Sequence, residues 1–323
     1  MDGLDNGAII CDLIVPDQCN RWRLDQALGI LLPEYSRSRM QRWIKSGYIR
    51  INDEAVAPRT KVVVNQVLKI SVPMEKDLSS MPENLFLDVV YEDKDLIVIN
   101  KSVGMVTHPG AGNPNNTLLN ALLYRYPETF QLPRAGLIHR LDKNTSGLII
   151  IARNLVSYGK LTTMLQRRII RREYQALVHG QIMVGGTINA NIGRHRQIRT
   201  LMAVNSHGKT ATTHYRVIDR FSLHTYLRIF LETGRTHQIR VHLAHAGYPI
   251  IGDSDYGGIR KVSAQLAAPL RKKIEDFNHQ ALHATRLELP HPATGILVSW
   301  QVLPPPDFID LLNSFKEYDC KIK

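Results

Sequence analysis

At 323 residues and 44% hydrophobic content, the chain is long enough for about two domains with real cores, and no apolar run approaches the roughly 18 residues of a membrane helix. Three cysteines, Cys11, Cys19 and Cys320, lack metal-ligand spacing, which argues against a disulfide framework or a zinc site and fits a reducing cytoplasm. A net charge of +12 calls for a polyanionic partner; without a basic amphipathic helix bearing a bulky apolar face, nucleic acid outranks a membrane.

Residues 1–20 read as a loose leader or a short edge strand. The acids Asp2 and Asp5, with no basic start before an apolar core, speak against a signal peptide. Residues 21–72 form a compact unit. A helix opens at Arg23-Leu24-Asp25, with Leu24 and Leu28 on one face, and Pro33 ends it. Ser36 reads as the N-cap of a second helix through Met40, Trp43 and Ile44, which Gly47 stops. Short strands are expected at Ile49–Ile51, Ala55-Val56 and Val67–Val72, with a turn at Asn52-Asp53-Glu54. This unit holds ten Lys or Arg against four acids, half of the chain's excess charge. Arg37, Arg39, Arg42 and Lys45 lie on one helix with few acids, as a phosphate-binding face requires. Residues 73–87 read as a linker.

From residue 88 the pattern is strand-rich, with strands expected at Leu96–Lys101, Tyr174–His179, Thr212–Ile218, Tyr226–Leu231 and Ile296–Gln301. Helices are expected over Thr117–Tyr124 and Leu161–Arg167. No G-x-G-x-x-G or P-loop spacing occurs, so no nucleotide cofactor is indicated.

Three stretches could carry chemistry. In His139-Arg140-Leu141-Asp142-Lys143 a carboxylate sits between two cations, which favour its charged form. A lone positioned carboxylate suits covalent attack, and the apolar run Leu148–Ala152 would anchor its loop as a buried strand. Residue type alone equally allows a turn-capping Asp. Tyr174, after Arg171-Arg172-Glu173, is either a plain strand aromatic or a ring for stacking on an unpaired base. Gly234–His245 packs two Arg and three His into a short stretch. Its His spacing is not that of a zinc enzyme, and a helix start aiming Arg at an anion fits better. Gly252-Asp253-Ser254-Asp255 lacks the remaining ligands of a calcium loop and reads as a turn.

Two resemblances now emerge. R-L-D-Q-A-L with S-R-S-R-M-Q-R-W-I-K-S-G-Y-I-R-I-N resembles the alpha-L RNA-binding motif. G-L-I-H-R-L-D-K-N-T-S-G-L, R-E-Y-Q-A-L, G-R-T-H-Q-I-R-V-H and L-H-A-T-R-L-E-L-P-H-P, in that order, resemble the RluA-type pseudouridine synthases over residues 88–303. The resemblance implies an α+β catalytic domain over 88–323 with a central, mostly antiparallel mixed sheet. Ahead of it would lie a small alpha-L domain.

The implied reaction converts uridine to pseudouridine on a flipped nucleotide, by a monomer and without cofactor or metal. Asp142 would be the nucleophile or base. Arg240 would pair with it, Tyr174 would stack on the uracil, Ile239 would pack near the base, and Arg140 would fill the space the base leaves. Arg235 would add an RNA contact. The stretches P-E-Y-S-R-S-R, H-P-G-A-G-N-P and P-R-A-G imply a substrate in the assembling large ribosomal subunit, namely uridines of the helix 69 stem-loop of 23S rRNA. A sister synthase with another rRNA or tRNA target, or a non-catalytic RNA-binding assembly factor, are the competing readings.

Overall fold

The computed structural model describes residues 9–32, 37–72, 81–110, 112–257 and 265–322. The chain divides into two units, up to Ser79 and from Ser80 onward.

The first unit contains β1 (Ile9–Ile14), α1 (Leu24–Leu31), α2 (Arg37–Lys45), β2 (Ile49–Ile51), β3 (Glu54–Ala55) and β4 (Val67–Val72). Its sheet runs β1-β4-β2-β3, with every pair antiparallel. Leu24, Ala27 and Leu28 of α1, and Met40, Trp43 and Ile44 of α2, recur at helical spacing and are all buried in one core with Leu68 and Ile70 of β4. Gly47, at φ 74°, supplies the left-handed residue that ends α2. Asn52 and Asp53, at φ 49° and 69°, make the tight β2–β3 hairpin.

Of the two readings for residues 1–20, Ile9–Ile14 take the short edge strand; residues 1–8 lie outside the described residues. β1 zips along all six residues of β4, and Val15 and Cys19 are fully buried. Strand pairing recruits these residues because β4 otherwise exposes an unpaired edge. The expected helix stop at Pro33 and N-cap at Ser36 lie outside the described residues.

The second unit contains β5 (Val89–Glu92), β6 (Leu96–Lys101), α3 (Leu118–Arg125), β7 (Ser146–Ala152), α4 (Leu155–Gln166), β8 (Arg171–His179), β9 (Gly186–Asn189), β10 (Ile192–Arg194) and β11 (Met202–Val204). It continues with β12 (Thr212–Arg220), β13 (His224–Leu231), α5 (Gln238–His245), α6 (Ala268–Asp276), β14 (Leu282–Pro290), β15 (Leu297–Gln301) and α7 (Pro306–Ile322). Its main sheet runs β5-β6-β7-β14-β8-β13-β12-β9, with β15 added on β14. Only the β7–β14 pairing is parallel, so the sheet is mixed and mostly antiparallel.

β7 is buried at all seven positions, because both of its faces are covered. Ile149 and Ile151 join the larger core with Leu118 and Leu122 of α3, while Leu148 and Ile150 pack with Leu161 of α4. Asn154 caps α4 by accepting the Ser157 N–H, so this helix starts six residues before the expected Leu161. Where β7 meets β14 the backbones nearly touch. A Cβ on Gly147 would lie 2.3 Å from the Ala284 carbonyl oxygen, and Gly147 itself sits at φ 109°.

The expected linker over 73–87 is shorter at its end. The Glu83 carboxylate accepts the Asn116 N–H, its own N–H donates to the Asn120 carbonyl, and Leu87 is buried in the catalytic core. Residues 73–80 lie outside the described residues.

Candidate active site

Asp142 stands in the loop 139–145 that feeds β7, its side chain 15% exposed. That loop is tied down along its length. His139 Nε2 accepts the Ile150 N–H of β7 at 3.0 Å, and burial pushes this imidazole down to about 3, so it stays neutral and able to accept. Thr107 donates its hydroxyl to the Leu141 carbonyl at 2.7 Å. Gln280 Nε2 donates to Thr145 Oγ1, and Ser146 Oγ bonds His283 Nδ1 on β14.

Lys101 is the least expected clamp. It is 1% exposed at the end of β6, and its Nζ donates to the carbonyls of Ser102, Met105 and Lys143. Burial pulls its pKa down to about 7, opposed by the charge of Asp142. Three carbonyl acceptors match the three protons of an ammonium group.

Arg240 arrives from α5. Its Nη1 lies 3.3 Å from Asp142 Oδ2. Its other two nitrogens are occupied: Nε donates to Asp253 Oδ2 at 2.7 Å, and Nη2 donates to Asp253 Oδ1 at 2.8 Å and Asp255 Oδ2 at 2.7 Å. Burial alone would lower the pKa of this side chain; Asp253, then Asp142 and Asp255, more than offset it and raise it. Asp253 and Asp255, read from sequence as turn acids, therefore belong to the site. Gly234–His245 had pointed to an anion-directed Arg, but nothing in the local pattern identified these acids as its holders. A Cβ on Gly252 would meet the His279 carbonyl oxygen at 2.1 Å, so the turn presenting them needs glycine.

Tyr174 and Ile239 are both 4% exposed. Burial raises the Tyr174 pKa, with the charge of Asp142 adding to the rise and that of Arg172 opposing it. Arg140 is exposed on the loop, close enough for its charge to lower His108 and His237 after burial has done most of that work. His237 Nε2 is 3.8 Å from Asp142 Oδ1. No hydrogen bond reaches Oδ1 among the described residues.

The residues expected to meet RNA divide. Arg42 and Lys45 are exposed on α2. Arg37 is instead tied to Asp25, which is 0% exposed, through Nε at 3.1 Å and Nη2 at 3.0 Å. Arg23 and Gln41 bond the same carboxylate. A buried acid needs a cation, and Arg37 is spent on that need. The Arg39 side chain lies outside the described residues. Arg235 is half-buried and donates Nε to the Thr210 carbonyl at 3.2 Å.

Among the described residues, Asp93, Asp95 and His291 bring metal-type ligand atoms within 4.8 Å of one another. His291 and Asp93 are already engaged, and Asp95 Oδ1 accepts from Asn154 and Ser157, while Asp95 Oδ2 has no hydrogen-bond partner among the described residues. His291 Nδ1 accepts the backbone N–H of Ala293 and Thr294, which leaves the proton on Nε2 to donate to Asp93 Oδ2 at 2.8 Å. Asp93 Oδ1 accepts two backbone N–H groups. The group is a clasp joining the β5–β6 turn to the β14–β15 turn.

The family description "RNA pseudouridylate synthase" matches residues 95–245, and "S4 domain" matches residues 22–68. Proteins named "Ribosomal large subunit pseudouridine synthase D" are similar along nearly the whole chain. The one from Haemophilus influenzae is 47% identical over 304 residues, 94% of each chain. The one from Pseudomonas aeruginosa is 45% identical over 303 residues, covering 94% of this chain and 95% of its own. The solved structure of human RNA pseudouridylate synthase domain containing 4 shares the fold at a TM-score of 0.55 and 23% identity, covering 71% of this chain and 92% of that one. The chain belongs to the RNA pseudouridylate synthase family, with an S4 domain ahead of the catalytic unit.

Proposed function

We propose that this chain converts uridines of 23S ribosomal RNA to pseudouridine, with the helix 69 stem-loop as target and Asp142 as the reacting group. The target rests on relatives named for the large ribosomal subunit. The observation that carries the chemistry is a carboxylate held at Oδ2 by Arg240 while Oδ1 takes no hydrogen bond among the described residues.

Tyr174 and Ile239 would receive the uracil, and Arg140 would occupy the gap left in the RNA. The target must leave the stack, because a stacked base cannot turn over in place. The N1–C1′ bond then breaks, the held uracil turns, and C5 bonds C1′. C5 loses its proton and N1 gains one, so atoms balance without a redox or group-transfer partner. Attack on C1′, addition to uracil C6 and abstraction of a ribose proton all draw on the same Oδ1. Arg42, Lys45 and Arg235 would hold phosphates and set position rather than sequence.

Tritium release from RNA labelled at uridine C5 tests the reaction: the protein releases it, and Asp142→Ala abolishes release while RNA affinity stays within about two-fold. Failure of the unaltered protein to release tritium defeats the proposal. Mapping pseudouridines in rRNA from a deletion strain tests the target. Loss outside helix 69 assigns a sister specificity, and a full pattern leaves only an assembly-factor reading.

A further inference from the structure

Arg240 makes a single hydrogen bond to Asp142, through Nη1, while its Nε and Nη2 are committed to Asp253 and Asp255. One donor on Oδ2 leaves the plane of the carboxylate free to turn. A group that must deliver one oxygen to one atom needs a second restraint.

His237 stands where that restraint would act, with Nε2 3.8 Å from Oδ1. It is the N-cap of α5 and holds φ 55°, ψ 23°, a left-handed conformation uncommon outside glycine. Such conformations persist where the surroundings over-determine them, and they concentrate at functional sites. The ring is also fixed. Its Nδ1 lies 2.6 Å from the Tyr256 hydroxyl, and that hydroxyl accepts the Met202 N–H at 2.9 Å. The Tyr256 hydroxyl carries one proton of its own to give to Nδ1. With Nδ1 accepting it, Nε2 carries the imidazole proton, the neutral arrangement that turns a donor rather than a lone pair toward the carboxylate. Tyr256 also lies under Arg240, whose guanidinium carbon is 4.9 Å from the ring centre. One ring therefore braces both groups that face Asp142.

We propose that Tyr256 and His237 are a positioning pair: Tyr256 sets the tautomer and angle of His237, and His237 fixes the reacting Oδ1 of Asp142. The inference rests on the reading of Asp142 given above. Burial, opposed by the charge of Asp142, holds His237 below its ordinary pKa. The 3.8 Å gap exceeds a hydrogen bond, and a movement of under about 1 Å on substrate binding makes one. Oδ1 keeps a second lone pair for the substrate.

The test is a double-mutant cycle on the full chain, reading single-turnover conversion of a uridine-containing stem-loop, equilibrium RNA affinity and the thermal midpoint. Tyr256→Phe keeps the ring over Arg240 and removes only the hydroxyl. It is expected to slow the chemical step about 10-fold while affinity stays within about two-fold. His237→Ala is expected to slow it about 30-fold, and adding Tyr256→Phe is expected to cost nothing more. Should His237→Ala fail to fold at its left-handed position, His237→Asn replaces it in the cycle. Multiplicative losses, a loss confined to affinity, or a Tyr256→Phe rate within two-fold of the unaltered protein each overturn the pair. If the unaltered protein converts no uridine, the proposed function fails first; active unaltered protein with indifferent variants sinks this inference alone.

Discussion

Two aspartates, one in each unit, are paired with arginine to opposite ends. Asp25 is fully buried and accepts from Arg23, Arg37 and Gln41. Asp142 is 15% exposed and takes one 3.3 Å contact from an arginine whose Nε and Nη2 are used elsewhere. In the first unit the protein saturates the acid and gains a joint between α1 and α2. In the second it spends most of the arginine's donors on other acids and leaves Asp142 underused. A carboxylate intended for a substrate must keep an unspent oxygen, and the surroundings supply rigidity by gripping its loop instead.

The sharpest way to break this contrast is to remove each acid in turn. Asp142→Ala should cut conversion by about 10,000-fold and leave the melting temperature unchanged or slightly higher, since underused polar groups at sites do not support the fold. A melting temperature that falls with activity would make Asp142 a structural acid like Asp25. Next in size is Arg240→Ala. It strands Asp253, whose side chain is 0% exposed, and should cost about 3–5 kcal/mol in chemical denaturation as well as activity. Unaltered stability would mean that Asp253 does not depend on this cation. Asp25→Ala should cost the first unit about 2 kcal/mol, a figure held down because Arg23 and Arg37 are 37% and 52% exposed. The rate on a saturating stem-loop should not move; a changed rate would tie Asp25 to catalysis.

The smallest effect is with pH. Burial raises the pKa of Asp25, but Gln41, Arg23 and Arg37 outweigh it, so the folded value lies below the ordinary 3.8. The unfolded chain then binds the proton first. The contribution of Asp25 is complete above pH 3.8 and is lost as pH falls through the lower folded value. Circular dichroism on acid titration should show Asp25→Asn flattening this loss, and equal slopes would contradict it.

Much of the fold and part of the site could be read from sequence. Period-2 and period-3.6 patterning located α2, β4, β7 and α3 because burial of one face is written locally. Asp142 and Arg240 stood out through their motifs. What escaped was pairing across distance. Nothing near Arg37 in the chain shows that Asp25 claims it, so it looked like a phosphate contact. Asp253 and Asp255 looked like turn acids because Arg240 lies 13 and 15 residues away. Lys101 looked like a strand end, and only the tertiary fold brings the Lys143 carbonyl to it.

The position of β14 in the sheet bears on how the enzyme comes into being. Residues 282–290 lie between β7 and β8, in the middle of the order, yet they follow every other strand of this sheet but β15 in the chain. A chain emerging from the ribosome therefore holds two half-sheets with facing, unpaired edges until residues 282–290 arrive. Those edges are of the kind that recruit foreign strands, and the pairing that closes them is long-range and slow. Gln280 and His283, which pin the loop of Asp142, arrive with the same segment. Completion of the fold and arming of the catalytic loop are thus one late event, and a chain truncated before residue 280 lacks both.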